Sequence, residues 1–259
     1  MNYSINGNGS PLLLLHGFTG SLNNWEPFVP MLAKKHTVIT VDLPGHGQSS
    51  HSTVLENYRM EAVSDNLLGI MDDLDHHTFD LLGYSMGGRL ALYTAVRFPK
   101  RIKRLVLESA SPGLKTAEER QDRIRTDNML ADRIERDGIE SFVNFWESIS
   151  LWESQAQLSA SSKNHLRQLR LTNNEAGLAL SLRGMGTGQQ PSQWTYLPQL
   201  SLPTLLLTGE FDTKFKNIAA EMQTLIPNAT HQIIAGAGHT IHLEQPEAWF
   251  NTVSTFLSM

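Results

Sequence analysis

Short apolar segments recur along the chain, and each of them ends in a turn. None shows a clear alternation of apolar and polar residues, which is typical of central strands that are covered on both faces of a sheet. The pattern therefore predicts six buried strands. They cover residues 11–15, 37–41, 79–82, 104–107, 203–207 and 231–234.

Helical periodicity fills most of the segments between these strands. Pro99 ends the third predicted helix and Pro246 opens the last, which are positions where proline is common. The alternation of strand and helix predicts an α/β fold with a mostly parallel central sheet and helices on both faces. The helices are predicted at residues 25–35, 58–75, 86–98, 215–225 and 246–257.

The stretch from residue 111 to about residue 196 interrupts this alternation. It shows no good strand pattern, and helical patterns cover residues 117–136 and 139–149. It also contains eight of the thirteen arginines of the chain. We therefore predict a helical cap at residues 111–196, inserted into a core that residues 1–110 and 197–259 form.

Composition narrows the possible function classes. The 259 residues are 40% hydrophobic, which is enough for one large domain or for one domain with an insertion. The net charge of −5 provides no basic surface for nucleic acid or for an anionic membrane. The absence of cysteine excludes disulfides, thiolate metal sites and a cysteine nucleophile.

No targeting signal, membrane span or metal site is predicted. Residues 1–7 are polar, and no window approaches the roughly 18 apolar residues of a spanning helix. His239 and His242 are three residues apart, and residues 75–77 read Asp-His-His, but neither group has a convincing set of further ligands. We expect a soluble cytoplasmic protein without a metal.

The segment 83–87 reads Gly-Tyr-Ser-Met-Gly and matches the G-x-S-x-G pattern of a nucleophile elbow. Such a turn between strand and helix holds the serine in a strained conformation, and the flanking glycines avoid steric clashes. Here the pattern follows a predicted strand and opens a predicted helix, as the turn requires. Ser85 is therefore the candidate catalytic serine of an α/β-hydrolase fold.

A serine hydroxyl needs a neighbouring imidazole before it can act as a nucleophile or a base. His239 supplies one from a glycine-rich loop after the last predicted strand. Asp212 and Glu210 both follow the preceding strand and could orient that imidazole. We favour Asp212, which lies further into the loop, and the chain order Ser, Asp, His is the one expected for this fold.

The loop at residues 16–20 follows the first strong strand. In this fold it donates one backbone N–H group to an oxyanion hole, and the residue after the serine donates the other. The predicted donors are therefore Phe18 and Met86, whereas His16 is expected to shape the loop.

Arg89 lies one helical turn after Ser85 and on the same face of the predicted helix. An arginine is unusual in a pocket for an apolar ester, but it can bind a substrate carboxylate bidentately. A salt bridge to the cap is the alternative interpretation.

Several segments together resemble the 2-succinyl-6-hydroxy-2,4-cyclohexadiene-1-carboxylate synthase (MenH) family of the α/β-hydrolase superfamily. The resemblance covers nearly the whole chain. The elbow is generic to the fold, whereas the cap arginines and the run Asp-Thr-Lys-Phe are more specific. The similar segments are residues 83–89, 111–114, 117–120, 123, 125–127, 169–174 and 209–215.

The resemblance implies a carbon–oxygen lyase of menaquinone biosynthesis. The substrate would be 2-succinyl-5-enolpyruvyl-6-hydroxy-3-cyclohexene-1-carboxylate, which loses pyruvate after a proton next to the succinyl ketone is removed. Ser85, activated by His239 and Asp212, would act as the base, and the N–H groups of Phe18 and Met86 would stabilise the enolate. No cofactor is implied.

The substrate is a small molecule with three carboxylates, which accounts for arginines around a hydrolase-like pocket. The resemblance implies that Arg89, Arg125 and Arg170 bind carboxylates. It also implies that Tyr84 and Trp146 line the pocket.

Some alternatives stay open at this point. A helix can turn only some of Arg120, Arg123 and Arg125 inward, so Arg120 and Arg123 could contribute or could face solvent. The same triad would also suit a hydrolase of esters or carbon–carbon bonds, and the arginines argue against an apolar ester. An intact Ser–Asp–His set argues against a non-catalytic binding protein. Dehalogenases and epoxide hydrolases need an aspartate where Ser85 stands.

Overall fold

A parallel sheet forms the centre of the protein, of which a computed structural model describes residues 1–50 and 52–259. Across the described residues the strand order is β1-β3-β2-β4-β5-β6-β7, and β1 alone is antiparallel to its neighbour. The predicted α/β class with a mostly parallel sheet is confirmed. In chain order the strands are β1 (Tyr3–Asn6), β2 (Ser10–Leu15), β3 (His36–Val41), β4 (Phe79–Tyr84), β5 (Ile102–Glu108), β6 (Thr204–Gly209) and β7 (Ala229–Ile234).

The six predicted strands are all present, and β1 is the strand that the pattern missed. Its residues are mostly exposed, and it lies at the edge of the sheet, where Tyr3 pairs with Val41 and Asn6 with Val38. An edge strand with one solvated face needs no continuous apolar run, so hydrophobicity gave no signal for it.

Helices cover both faces of the sheet. The predicted helix at residues 25–35 is shorter in the structure, where a 3₁₀ turn (Leu22–Trp25) precedes a single α-helical turn. Pro27 and Pro30 lack the N–H groups that a continuous helix would need there. The α-helices are α1 (Val29–Leu32), α2 (Met60–Asp73), α3 (Met86–Arg97), α4 (Ala117–Ser148), α5 (Ala160–Leu171), α6 (Glu175–Met185), α7 (Thr213–Leu225), α8 (Ile241–Glu244) and α9 (Pro246–Leu257).

Strand β2 shows why the apolar runs do not alternate. Leu13 and Leu15 pack into one core cluster, whereas Leu12 and Leu14 pack into a second cluster on the other face of the sheet. Successive side chains of a strand point to opposite faces, and both faces are covered here, so every position must be apolar.

Between β5 and β6 the chain, described throughout, forms helices and no strand. Gly138, with φ of 80°, breaks α4 into two helical segments, which agrees with the two helical patterns in the sequence. Residues of α4 and α6 share a separate buried cluster against which Phe18 of the core packs. This cluster supports a cap at residues 111–196, and that division of the chain stays our proposal.

No helix within residues 1–50 and 52–259 combines the length and the apolar character that crossing a membrane requires.

Candidate active site

Ser85 occupies the tight turn between β4 and α3. Its backbone has φ of 51° and ψ of −107°, a left-handed conformation that is strained for a residue with a side chain. A Cβ atom on Gly83 would overlap the carbonyl of Gly87, and one on Gly87 would overlap the carbonyl of Leu15. The two glycines of the motif are therefore required by contacts with the helix and with the adjacent strand β2.

The structure brings Ser85, His239 and Asp212 together. The Ser85 Oγ atom lies 3.0 Å from His239 Nε2, and His239 Nδ1 lies 2.7 Å from Asp212 Oδ2. His239 is only 2% exposed, and Asp212 is buried as well. If Nδ1–H donates to the carboxylate, Nε2 is free to accept the proton of the serine.

The two rival acids of the loop after β6 have different partners. Asp212 caps α7, where its Oδ1 atom accepts the N–H of Phe215 at 3.2 Å, and its other oxygen meets His239. Glu210 instead accepts the N–H of Gly236 at 2.9 Å. The geometry therefore favours Asp212 as the residue that orients the imidazole.

The two predicted oxyanion-hole donors, Phe18 and Met86, line the same cavity as Ser85. Within the described part of the chain, neither Phe18 nor Met86, the first residue of α3, donates its N–H to a protein acceptor. His16 holds the first loop, because its Nδ1 atom lies 2.8 Å from the carbonyl of Gly17 and its Nε2 atom accepts the N–H of Leu43 at 3.0 Å. Burial lowers the pKa of His16, so its imidazole stays neutral in this structural role.

A cavity of about 240 Å³ opens above the triad, between the core and the cap. Aromatic side chains from both parts form its walls, with Trp146 edge-to-face on Phe18 at 5.5 Å between ring centroids. Tyr84 also lines it, and the Tyr84 hydroxyl is hydrogen-bonded to Thr240 Oγ1 at 2.8 Å. Both of the predicted aromatic lining residues, Tyr84 and Trp146, are therefore at the cavity.

Arg89 lines this cavity and has no acidic partner. Its Nη1 atom donates to the carbonyl of Met185 at 3.0 Å and to Gln190 Oε1 at 3.1 Å. No carboxylate of the described residues lies within ion-pair distance of it, so the predicted alternative, a salt bridge to the cap, is not formed. Burial, and then the charge of Arg123, lower the pKa of Arg89 to about 10, so it is positive at neutral pH.

Arg125 does not reach the cavity, and here the structure corrects the sequence interpretation. Its side chain is 69% exposed and forms an ion pair with Asp122. Arg123 lines the cavity instead, and its Nε atom donates to the buried Asp127 at 2.7 Å. Residues two apart on a helix point about 200° apart, so α4 can turn only one of these two arginines inward.

Arg170 lies behind the wall of the catalytic cavity and does not line it. Its Nη1 atom is 3.1 Å from Glu147 Oε1, and its guanidinium lies 5.4 Å from the ring centre of Trp152. It borders a separate cleft of about 450 Å³ in the cap. Burial lowers the pKa of Arg170, and the hydrogen bond to Glu147 opposes that shift.

Sequence reasoning missed Trp152, which separates the cleft beside Arg170 from the catalytic cavity. The ring centroid of Trp152 lies 5.8 Å from that of His239. Sequence reasoning also assigned no role to Lys214 and Phe215, which line the cavity next to the triad. The signal for these two was present, since both belong to the Asp-Thr-Lys-Phe run. Trp152 lies in a 3₁₀ segment of the cap (Ser150–Gln157), where periodicity gives no indication of orientation.

No group of three or more His, Asp or Glu side chains suited to a metal ion was found among residues 1–50 and 52–259.

The sheet order, the strained serine and the Ser–His–Asp contacts define a protein of the α/β-hydrolase fold class. A family model described as alpha/beta hydrolase fold matches residues 10–246. A Bacillus subtilis (strain 168) protein, provisionally named 2-succinyl-6-hydroxy-2,4-cyclohexadiene-1-carboxylate synthase, is 44% identical over 95% of this chain and 90% of its own length. The enzyme of that name from Pectobacterium atrosepticum is 32% identical over 95% of this chain and 93% of its length.

Solved structures agree with the sequence relatives. The structure of MenH from S. aureus has a TM-score of 0.96 and 37% identity, and the match covers 100% of this chain and 98% of that one. An enol-lactonase from Burkholderia xenovorans LB400, at 22% identity and a TM-score of 0.83 over 100% of this chain and 96% of its own, shares the fold. The chain belongs to the 2-succinyl-6-hydroxy-2,4-cyclohexadiene-1-carboxylate synthase family, which confirms the resemblance found in the sequence.

Proposed function

We propose that the protein is a carbon–oxygen lyase of menaquinone biosynthesis. It converts 2-succinyl-5-enolpyruvyl-6-hydroxy-3-cyclohexene-1-carboxylate into 2-succinyl-6-hydroxy-2,4-cyclohexadiene-1-carboxylate and pyruvate. The observation that carries this proposal is the buried, unpaired Arg89 beside a hydrogen-bonded Ser–His–Asp set. A buried charge without a counterion is costly, so an anionic substrate is the partner that this cavity lacks. The names of the relatives agree with it.

The reaction begins at Ser85. His239 accepts the proton of the serine hydroxyl, and the serine oxygen takes the proton from the carbon next to the succinyl ketone. The electron pair of that C–H bond moves toward the ketone oxygen, where the N–H groups of Phe18 and Met86 bind the developing negative charge. Met86 opens α3, so the positive end of the helix dipole also faces this oxygen.

Collapse of the enolate completes the elimination. The electron pair returns to form a ring double bond between carbons 2 and 3, the existing double bond between carbons 3 and 4 shifts to carbons 4 and 5, and the bond between carbon 5 and the enolpyruvyl oxygen breaks. Pyruvate leaves as its enolate and becomes the ketone when its methylene carbon takes up a proton. Since no acyl group is transferred, Ser85 never becomes covalently attached, and the elimination needs no cofactor.

The carboxylates are bound by cations of the cavity. Arg89 and Arg123 line it directly, and they enter from the core helix α3 and the cap helix α4. Carboxylate binding by Arg170 stays a prediction, because its guanidinium is now paired with Glu147 and would have to turn toward the cavity. Arg125 faces solvent and is paired with Asp122, so it has no part in this binding.

Alanine variants of the two neighbouring arginines should behave differently. We expect Arg123→Ala to raise the KM for the substrate about tenfold, roughly 1.4 kcal/mol, because a carboxylate loses its partner in the cavity. Arg125→Ala should leave KM and kcat unchanged, since that side chain faces solvent. Steady-state kinetics of pyruvate release measure both. Equal effects of the two substitutions would contradict the assignment of Arg123.

A pyruvate assay tests the function itself. The purified protein should release one pyruvate per molecule of the enolpyruvyl substrate, and it should hydrolyse a p-nitrophenyl ester far more slowly. The ester is the relevant comparison because the same triad and N–H groups would also serve a hydrolase with Ser85 as its nucleophile. Fast ester turnover without pyruvate release would establish the hydrolase and exclude the lyase.

The partner of the protein in this proposal is thus a small tricarboxylate, and we place the reaction in the cytoplasm. Binding of nucleic acid is not expected for a chain with a net charge of −5.

A further inference from the structure

The charges that line the catalytic cavity are unbalanced. Among the described lining residues, Arg89, Arg123 and Lys214 are cationic side chains, and none is an aspartate or a glutamate. Arg123 has Asp127 as its partner, whereas Arg89 and Lys214 have no carboxylate of the described residues within 4.0 Å. The cavity therefore presents more positive charge than the protein itself neutralises.

Lys214 stands at a position where the fold stabilises it only weakly. It is the second residue of α7, and the first turn of this helix contains no acidic residue. The N-terminus of a helix carries partial positive charge, which makes a lysine there unfavourable. Its ammonium group makes no hydrogen bond to the described residues, and its contact is a cation–π interaction with Phe215 at 5.6 Å from the ring centre, which is weak at an exposed site. This contact therefore contributes little to the stability of the fold and leaves the ammonium group available to a ligand.

The position is also close to the reacting atoms. The ring centroid of Phe215 lies 4.7 Å from that of His239, and the exposed Lys214 side chain extends from the same helical turn at the edge of the cavity. Arg89, Arg123 and Lys214 enter from three different helices, α3, α4 and α7. They can therefore contact separate carboxylates of one ligand.

We propose that Lys214 is a substrate-binding residue, which holds one carboxylate of the substrate at the mouth of the cavity. The inference rests on the proposed function for the identity of that substrate. Arg170 lies outside the cavity and is paired with Glu147, so the two lining arginines leave one of three carboxylates without a cation from the cavity wall. Lys214 supplies the third cation. Its flexible, solvated ammonium suits a carboxylate that remains near solvent, whereas the buried Arg89 binds one that is fully enclosed.

Lys216 provides a matched control for this proposal. It lies two residues later on α7, where the helix turns its side chain about 200° away, and it lines none of the described cavities. Lys214→Met and Lys216→Met remove the same charge from the same helix. Lys214→Arg keeps a positive charge at the mouth.

Kinetics of pyruvate release supply the first measurement. We expect Lys214→Met to raise KM about five- to tenfold with kcat nearly unchanged, because a contact made equally in ground state and transition state is lost. Lys214→Arg should recover most of this loss, and Lys216→Met should match the wild type. A fall in kcat without a change in KM would overturn the proposal, since it would indicate a disturbance of the neighbouring Asp212.

Binding of unreactive probes supplies the second measurement. Benzene-1,3,5-tricarboxylate and benzene-1,3-dicarboxylate can be titrated against the fluorescence of Trp146 and Trp152 in the cavity walls. Lys214→Met should weaken binding of the tricarboxylate about five- to tenfold and binding of the dicarboxylate less than about twofold, because only the tricarboxylate has a third carboxylate. Equal weakening of both probes, or no weakening, would overturn the contact. If Lys214→Met weakens binding of the tricarboxylate more than that of the dicarboxylate, but the wild-type protein releases no pyruvate, the contact stands and only the proposed function is refuted.

Discussion

Replacing Ser85 by alanine should reduce pyruvate elimination by about 10²–10⁴-fold, which is the contribution expected of a positioned base. Binding of the substrate should change little, because the hydroxyl contacts His239 and the arginines that bind carboxylates remain in place. The measurement is single-turnover release of pyruvate together with a substrate titration that follows tryptophan fluorescence.

Ser109→Ala is a suitable control for this substitution. Ser109 also lines the cavity and has a positive φ of 48°, and among the described residues its hydroxyl has no hydrogen-bond partner. Its loss should leave the rate unchanged. If Ser85→Ala retained turnover within about tenfold, His239 rather than Ser85 would be the direct base. A covalent adduct on Ser85 would instead support the hydrolase mechanism.

The Arg89→Met variant should weaken substrate binding by about 2–5 kcal/mol. Truncating one member of a buried, hydrogen-bonded charge pair leaves the other charge unpaired, and most of the cost arises there. In the free protein the guanidinium is buried without a carboxylate partner. Its replacement by an apolar chain of similar length should therefore lower the free energy of unfolding by less than it weakens substrate binding. Isothermal titration calorimetry with proteins that also carry Ser85→Ala measures substrate binding without turnover.

Arg97→Met serves as its control on the same helix. Arg97 lies two turns later in α3, is partly exposed, and pairs with Asp65 at 3.6 Å. Its replacement should leave binding unchanged, and thermal unfolding of both variants shows whether either has lost its fold. Near-normal affinity of Arg89→Met would mean that Arg89 only joins α3 to the carbonyl of Met185 and to Gln190.

The catalytic turn illustrates what could be predicted from local sequence. The G-x-S-x-G pattern is five residues long, and the steric demand that it reflects is visible in the overlap that side chains at Gly83 and Gly87 would cause. The unalternated strands were recognisable for a similar reason, since burial of both Leu12 and Leu13 requires apolar residues at successive positions. The order Ser, Asp, His then followed from strand ends that meet at one edge of the sheet.

The sequence by itself thus predicted six of the seven strands of the described sheet, the elbow, and the serine, histidine and aspartate that the structure brings together. It could do so because backbone sterics and strand burial act over a few neighbouring positions. Tertiary structure decided which cations meet the cavity. Arg123 and Arg125 differ only in the face of α4 on which they lie, and Arg170 is drawn to Glu147, which is 23 residues away. These outcomes depend on how the cap helices pack over the core, and that packing is set by contacts between residues far apart in the chain.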